Sequence, residues 1–195
     1  MARPDIKESR REQIIDAFEF CVARYGVEGA TLAKTAEQAG LARPLVRHNV
    51  GNRDDLVDAL TKRFLKRSRE AMDSFLAALP KEKRSETAIE WLFDTQYSDD
   101  HQVQVSYALI THSYDDTKLA VSMQNWLDDF ISKLDELLAE DFPEAEPSKV
   151  TAVSNGIAGI YFNVESMKGL GNIESLLASS KKAAFILLHS LKNSK

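Results

Sequence analysis

The sequence is poor in several residue types that mark particular protein classes. It has one cysteine in 195 residues, Cys21, which excludes an intrachain disulfide framework and a cysteine-cluster metal site. Glycine and proline are few, and no low-complexity segment or internal repeat appears. No stretch shows the alternation of a β-strand, and none approaches the ~18 consecutive apolar residues of a membrane span. Met1–Asp5 leads directly into charged sequence, so we expect a cytoplasmic protein without a signal peptide.

The charged residues are unevenly distributed along the chain. The formal net charge is −5. Residues 1–70 hold 14 Lys and Arg against 11 Asp and Glu, a net of +3, whereas the remaining 125 hold 11 against 19, a net of −8. This asymmetry is typical of a basic nucleic-acid-binding segment joined to an acidic body.

Apolar residues recur at helical spacing almost throughout, which predicts an all-α protein of about nine helices. The first is expected to pack its inner face into the core, with Cys21 as a core thiol rather than a redox sensor. That face comprises Ile14, Ile15, Phe18, Cys21, Val22 and Tyr25. Besides a short helix that starts at Thr31, we predict helices over about 8–25, 42–49, 53–79, 86–97, 100–114, 117–140, 148–168 and 173–191.

The segment Ala30–Leu56 has the pattern of a helix-turn-helix. Thr31 can cap its first helix, and Gly40 can supply the left-handed residue that ends it. The second helix, about Ala42–Asn49, keeps Val46 for the inside. Two short helices joined by a glycine turn, with cations on the outer side of the second, predict a DNA-binding element.

The second helix of this motif carries the residues suited to reading DNA. Arg43 and Arg47 are four residues apart and project from the same side, and an arginine fork fits guanine or phosphate at two points. Leu45 can contact a thymine methyl group or cover the helix interface. His48 and Asn49 are placed to reach the sugar-phosphate backbone, and no Cys, Asp or second His stands near His48 at metal-ligand spacing.

The entry into the next helix, which begins N-R-D-D, is also informative. Asn52 and Asp55, three residues apart, predict a capping box. Arg53 is unfavourably placed for the helix dipole in that first turn, which suggests that it binds something else, such as a phosphate.

Residues 11–60 resemble the DNA-binding domain of the tetracycline-repressor (TetR) family. The resemblance implies an all-helical homodimeric transcription regulator, with a DNA-binding domain at 1–52 and a ligand-binding and dimerisation domain at 53–195. The matching residues are Ile14, Ile15, Ala17, Gly26, Gly29, Thr31, Ala36, Ala39, Gly40, Leu41, Pro44, Val46, Asn52, Arg53 and Leu56.

The resemblance also assigns roles residue by residue. It places Thr31 at a phosphate contact, Arg43, Pro44 and Leu45 at the base-reading positions, and Arg53 where the family usually has a phosphate-binding lysine. This sequence departs from the family pattern at four places, which are Thr35 for a buried Ile or Leu, Ala42 for a Ser/Thr-type cap, Arg47 for a tyrosine, and His48-Asn49-Val50 for an aromatic-rich ending.

Large amphipathic side chains concentrate in the middle helices. Ligand pockets are mostly apolar with a few placed polar groups, so we expect an aromatic-lined cavity for a partly apolar small molecule, although any one of these residues could be plain core. The candidate contacts are Phe93, Tyr97, Tyr107, His112, Met123, Trp126, Phe130 and Asn155. No cofactor is indicated, and His101 and His112 lack the nucleophile or paired carboxylates of an enzyme.

The last two helices are rich in small residues, which let helices approach closely. We expect them to form a four-helix homodimer interface, which requires a palindromic operator read at two half-sites. The aliphatic residues expected across it are Val150, Val153, Ile157, Ile160, Val164, Leu177, Leu187, Leu188 and Leu191.

These features together predict a sequence-specific transcriptional regulator. We expect a repressor that a small molecule releases from double-stranded operator DNA. The alternative that stays open is a ligand-independent DNA-binding or partner-binding helical module.

Overall fold

The computed structural model describes residues 6–94 and 99–193. Within these ranges the chain forms nine α-helices and no β-strand, which confirms the all-α prediction. The helices are α1 (Ile6–Gly29), α2 (Leu32–Ala39), α3 (Arg43–Val50), α4 (Arg53–Ala78), α5 (Arg84–Leu92), α6 (Asp100–His112), α7 (Thr117–Asp141), α8 (Pro147–Met167) and α9 (Glu174–Ser190). None of these helices combines the length and the apolar character needed to cross a bilayer.

The chain divides into two compact units. The first takes the described part of Met1–Arg69 together with Asp100–Gln124, and the second takes that of Glu70–Asp99 together with Asn125–Lys195. Helices α4 and α7 each run through both units. This division differs from the predicted boundary after residue 52, because α6 packs on α1 in the first unit. The division by function into 1–52 and 53–195 stays a prediction.

The inner face of α1 is buried as predicted, with one exception. Ile14, Phe18 and Val22 have no exposed surface. Cys21 is a free, buried cysteine, and burial raises the pKa of its thiol, as suits a core residue. Tyr25, however, is 47% exposed, so its predicted inward position is wrong. The helical pattern fails there because the next residue, Gly26, leaves helical geometry at φ 70° and ψ 169°.

A buried acidic residue joins three helices of the first unit. Glu19 of α1 is 4% exposed. Its Oε2 lies 3.1 Å from Arg63 Nη1 and its Oε1 lies 2.9 Å from Arg67 Nη1, both from α4. From α6, Gln102 Nε2 donates to Glu19 Oε1 at 3.0 Å, and His101 Nε2 lies 3.4 Å from the same oxygen. Because a buried carboxylate requires compensating donors, this cluster fixes α4 and α6 on α1.

The core of the second unit is formed by α5, α7, α8 and α9. Ala88, Ile89 and Leu138 have no exposed surface there. The prediction that the aliphatic residues of α8 and α9 face a second copy is wrong for most of them, because they pack into this core within one chain. Those buried in it are Val150, Val153, Ile157, Val164, Leu188 and Leu191, with Ile160, Leu177 and Leu187 partly buried against it.

Replacing Arg63 should test how much the Glu19 cluster stabilises the fold. Burial disfavours the charged form of Arg63, but its hydrogen bonds to Glu19 and Asp16 and the negative charges of Glu12 and Asp16 together raise the pKa of its guanidinium. Arg63 is therefore charged throughout the useful pH range. Arg63→Ala should lower the free energy of unfolding by about 3 kcal/mol, because it removes a cation from a buried carboxylate. Urea unfolding measures the change. Arg69→Ala, at an exposed position of the same helix, should change it by less than about 0.5 kcal/mol. Equal losses in the two variants would contradict a structural role for the cluster.

Candidate nucleic-acid interface

Helix α2 begins with the predicted cap. The Oγ1 of Thr31 accepts a hydrogen bond from the backbone N–H of Lys34 at 3.2 Å. Thr35, at a position where an aliphatic residue was expected from the family, is fully buried. Its hydroxyl donates to the carbonyl oxygen of Thr31 at 2.9 Å, so the buried polar atom is satisfied. The departure at Thr35 therefore leaves the helix intact.

The turn between α2 and α3 has the predicted left-handed glycine. Gly40 has φ 64° and ψ 33°, a conformation that favours glycine. The N–H of Gly40 donates to the carbonyl of Glu37 at 3.1 Å, and that of Leu41 donates to the carbonyl of Ala36 at 2.9 Å. These bonds satisfy the last carbonyls of α2 and set the direction in which α3 leaves it.

Helix α3 has one buried side chain and a cationic outer face. Val46 has no exposed surface, whereas Arg43, Pro44, Arg47 and His48 are all exposed. Leu45 is 37% exposed. Ala42 provides no side-chain cap, but Pro44 is in the first turn, where no backbone donor is lost. The Nδ2 of Asn49 donates to the carbonyl of Leu45 at 2.7 Å, which leaves its Oδ1 for other partners.

A reciprocal capping box closes the motif, as predicted. The N–H of Asn52 donates to Asp55 Oδ2 at 2.8 Å, and the N–H of Asp55 donates to Asn52 Oδ1 at 2.9 Å. The preceding Gly51 has φ 88°, and a Cβ there would lie 2.2 Å from Asp55 Oδ2. The box therefore needs glycine at this position.

Arg53 has partners within the protein that the sequence pattern did not indicate. Its Nη2 donates to the carbonyl of Val27 at 2.9 Å and to Glu28 Oε1 at 2.8 Å. His112 Nδ1, from the end of α6, lies 3.1 Å from the same Glu28 oxygen. The side chain of Arg53 is 28% exposed, so its guanidinium reaches solvent while it holds the end of α1. Its contact with a phosphate stays a prediction.

Cations of the first unit differ in whether a carboxylate lies within ion-pair distance of them. Arg53, Arg63 and Arg67 of α4 have carboxylate partners. The exposed cations Arg24, Lys34, Arg43 and Arg47 have none within ion-pair distance among the residues that the structure describes. These four positive charges lie at the end of α1 and on α2 and α3, where they can attract a polyanion.

The candidate ligand residues fall in both compact units. Tyr107 and His112 of α6, both half-buried, and the buried Met123 of α7 lie in the first. Phe93, Trp126, Phe130 and Asn155 lie in the second, and Tyr97 is outside the described residues.

An aromatic cluster forms in the second unit. The rings of Phe130 and Tyr161 stack at 5.7 Å, and Trp126 lies 5.5 Å from Phe162. Phe93 packs edge-on against Tyr161 at 6.2 Å. Tyr161 and Phe162 were not among the predicted ligand contacts, because α8 was predicted to form the dimer interface; the aromatic side chains of this helix were the signal that could have indicated them.

Asn155 occupies a different setting from this cluster. It is exposed on α8 and donates to the carbonyl of Thr151 at 2.8 Å. With Gly156, Gly159 and Asn163 it lines a shallow groove, whose α9 side is formed by Ser179, Ser180 and Ala183.

Curated proteins similar to this chain are transcriptional regulators. The HTH-type transcriptional regulator BetI of Paraburkholderia phytofirmans is 35% identical over 66 residues, which are 34% of each protein. BetI of Burkholderia ambifaria is 27% identical over 128 residues, 65% of this chain and 56% of that protein. The chain thus spans between a third and just over half of the length of these relatives. No family model matches it.

Solved structures share the fold over nearly the whole chain. A TetR transcription regulator from Haloarcula marismortui superposes with a TM-score of 0.72 at 13% sequence identity, covering 94% of this chain and 98% of its own. Lys34, Arg43 and Arg47 lie on the helix-turn-helix of this fold. This chain has the fold of the TetR-family transcriptional regulators.

Proposed function

We propose that this protein is a sequence-specific DNA-binding transcriptional regulator, a repressor that a small molecule releases from a palindromic operator. The observation that carries the proposal is the exposed pair Arg43 and Arg47 on α3, backed by the buried Val46. The Gly40 turn precedes α3 and the capping box at Asn52 follows it, so hydrogen-bonded turns fix both ends of this helix. A short helix held this way can enter a major groove with its cationic side towards the bases.

Homodimerisation through α8 and α9 is part of the proposal. A Cβ on Gly156 would lie 2.9 Å from Leu187 Cδ1, so this glycine lies against α9 within the chain, and a larger residue would require the Leu187 side chain to shift. Gly159 is exposed, and a Cβ there would meet nothing within 4 Å. Since glycine weakens a helix, the close approach of a second copy would account for Gly159. Ile186 of α9, which is 62% exposed, adds apolar surface to this unit.

The aromatic cluster of the second unit supports an effector of partly apolar character. Aromatic rings with hydroxyl and indole N–H groups provide the mixture that small-molecule sites use. In our proposal the effector shifts α4, which changes the separation of two recognition helices in the dimer. The required coupling is of the order of 1–3 kcal/mol.

Selection of bound fragments from random DNA tests the proposal. It should yield a two-fold symmetric sequence, with half-site centres one helical turn or a multiple apart. A metabolite panel should then contain a compound that releases the selected fragment. Failure to enrich any sequence would reject the DNA-binding function, whereas enrichment without release by any compound would favour a ligand-independent module.

Arg43→Ala tests base reading by α3. The substitution should weaken binding to the selected fragment by about 1–3 kcal/mol and leave binding to random DNA nearly unchanged, because a two-point contact with a base is lost. Titration of both DNAs at one salt concentration measures the difference. An equal loss on the two DNAs would contradict base reading at this position.

Arg53→Ala tests the phosphate contact against the internal role of Arg53. If the guanidinium neutralises a phosphate, binding to all sequences should weaken and the slope of log K against log salt should fall by about one unit. Glu28→Gln removes the ion pair but keeps Arg53, so it should not lower the slope. If the salt slope is unchanged in Arg53→Ala, the phosphate contact is rejected and Arg53 has only its internal contacts to Val27 and Glu28.

Gly159→Leu tests the dimer face. The monomer should fold at least as stably, because leucine is favoured over glycine in a helix by nearly 1 kcal/mol and the site is open within the chain. The dimer should weaken at least tenfold in analytical ultracentrifugation, since the added side chain enters the space of the partner. Gln104→Leu, at an exposed position of α6, serves as the matched control and should dimerise normally. Normal dimerisation of Gly159→Leu would exclude close packing at this glycine.

A further inference from the structure

Tyr25 is an exposed aromatic residue near the end of α1, beside two glycines. It is 47% exposed at the point where α1 departs from helical geometry at Gly26. A Cβ on Gly29 would lie 2.7 Å from the Tyr25 Cβ, so the backbone approaches the tyrosine closely. Gly29 therefore allows this close approach, while the exposure of the ring shows that Tyr25 is not part of the core.

Two cationic groups lie close to the exposed ring of Tyr25. The Nζ of Lys34, from the first turn of α2, lies 4.2 Å from the ring centroid. The Cζ of Arg24 lies 5.7 Å from it. In the described part of the chain, neither cation has a carboxylate within ion-pair distance, even though Glu37 stands one turn further along α2. The cation–π contact positions the ammonium group but leaves its charge uncompensated.

We propose that Tyr25 and Lys34 form a phosphate clamp that holds the DNA backbone beside the recognition helix. This inference rests on the proposed DNA-binding function and adds residues to it. The first helix of a helix-turn-helix crosses the DNA backbone, and Lys34 lies on the exposed side of that helix. The ammonium group and the tyrosine hydroxyl can both donate to phosphate oxygens.

The clamp positions the protein without reading sequence. Phosphate contacts set the register and orientation of a DNA-binding domain, and base contacts supply the discrimination. An ammonium group already ordered over a ring loses less side-chain freedom on binding than a free lysine. Tyr25 is thus a positioning residue through its ring, and it contacts phosphate through its hydroxyl.

The experiment compares Lys34→Gln, Tyr25→Phe and Tyr25→Leu with the wild type on the selected fragment and on a scrambled one. Fluorescence anisotropy over a range of NaCl concentrations gives affinity and salt slope. Lys34→Gln should weaken binding to both DNAs by the same factor, about five- to tenfold near 0.1 M salt. It should also lower the slope of log K against log salt by about one unit. Tyr25→Phe should keep the salt slope but bind DNA more weakly than the wild type, because the tyrosine hydroxyl is missing. Tyr25→Leu should lose more affinity, because the ring that orders Lys34 is also missing.

The matched control is Lys81→Gln, which removes one exposed charge between α4 and α5 and should change neither quantity. A slope in Lys34→Gln equal to that of the wild type or of Lys81→Gln would overturn the clamp.

If the wild type binds no selected DNA, the proposed function itself fails. If the wild type binds and Arg43→Ala loses its sequence preference while Lys34→Gln behaves as wild type, only the clamp fails. Urea midpoints check folding, and Lys34→Gln, at an exposed site, decides the outcome should Tyr25→Leu unfold.

Discussion

The first compact unit depends on the ion pairs and hydrogen bonds of the buried Glu19 carboxylate. Its oxygens lie 3.1 and 2.9 Å from nitrogens of Arg63 and Arg67, and one of them accepts from Gln102 at 3.0 Å. Aliphatic contacts between helices can be made in several registers, but charge-assisted hydrogen bonds at this depth depend strictly on direction and distance. The α1–α4–α6 arrangement is therefore set by one acidic residue together with the apolar packing around it.

The same cluster determines which cations remain available for a partner. The arginines of α4 that pair with Glu19 are engaged in holding the fold together. The cations on α2 and α3, Lys34, Arg43 and Arg47, have no such carboxylate within the described ranges. An overall charge of −5 is compatible with a locally positive face, because Glu12, Asp16 and Glu19 of α1 pair with Arg63 of α4 and not with the cations of α2 and α3.

Features set by neighbours in the sequence were predictable, whereas features set by distant pairs were not. The Gly40 turn and the Asn52 capping box follow from local backbone chemistry, and the burial of Val46 follows from helical spacing. The partners of Glu19 come from residues 44 to 83 positions away, which no local pattern contains. Periodicity also indicates that Val153 is buried but not whether it faces its own chain or a second copy. For Tyr25 the helical pattern failed because it assumed a continuous helix through Gly26.

Glu28 offers a physical link between α6 and the start of α4. One of its oxygens lies 2.8 Å from Arg53 and 3.1 Å from His112, so the end of α6 and the first turn of α4 contact the same carboxylate oxygen at the end of α1. An oxygen shared in this way cannot follow both helices if they move apart. In the proposed mechanism, the displacement of α4 would alter the contact of Arg53 with Glu28 beside the helix-turn-helix. Ligand response would then need only a change of hydrogen-bond partner at the end of α1, without repacking of the apolar core behind it.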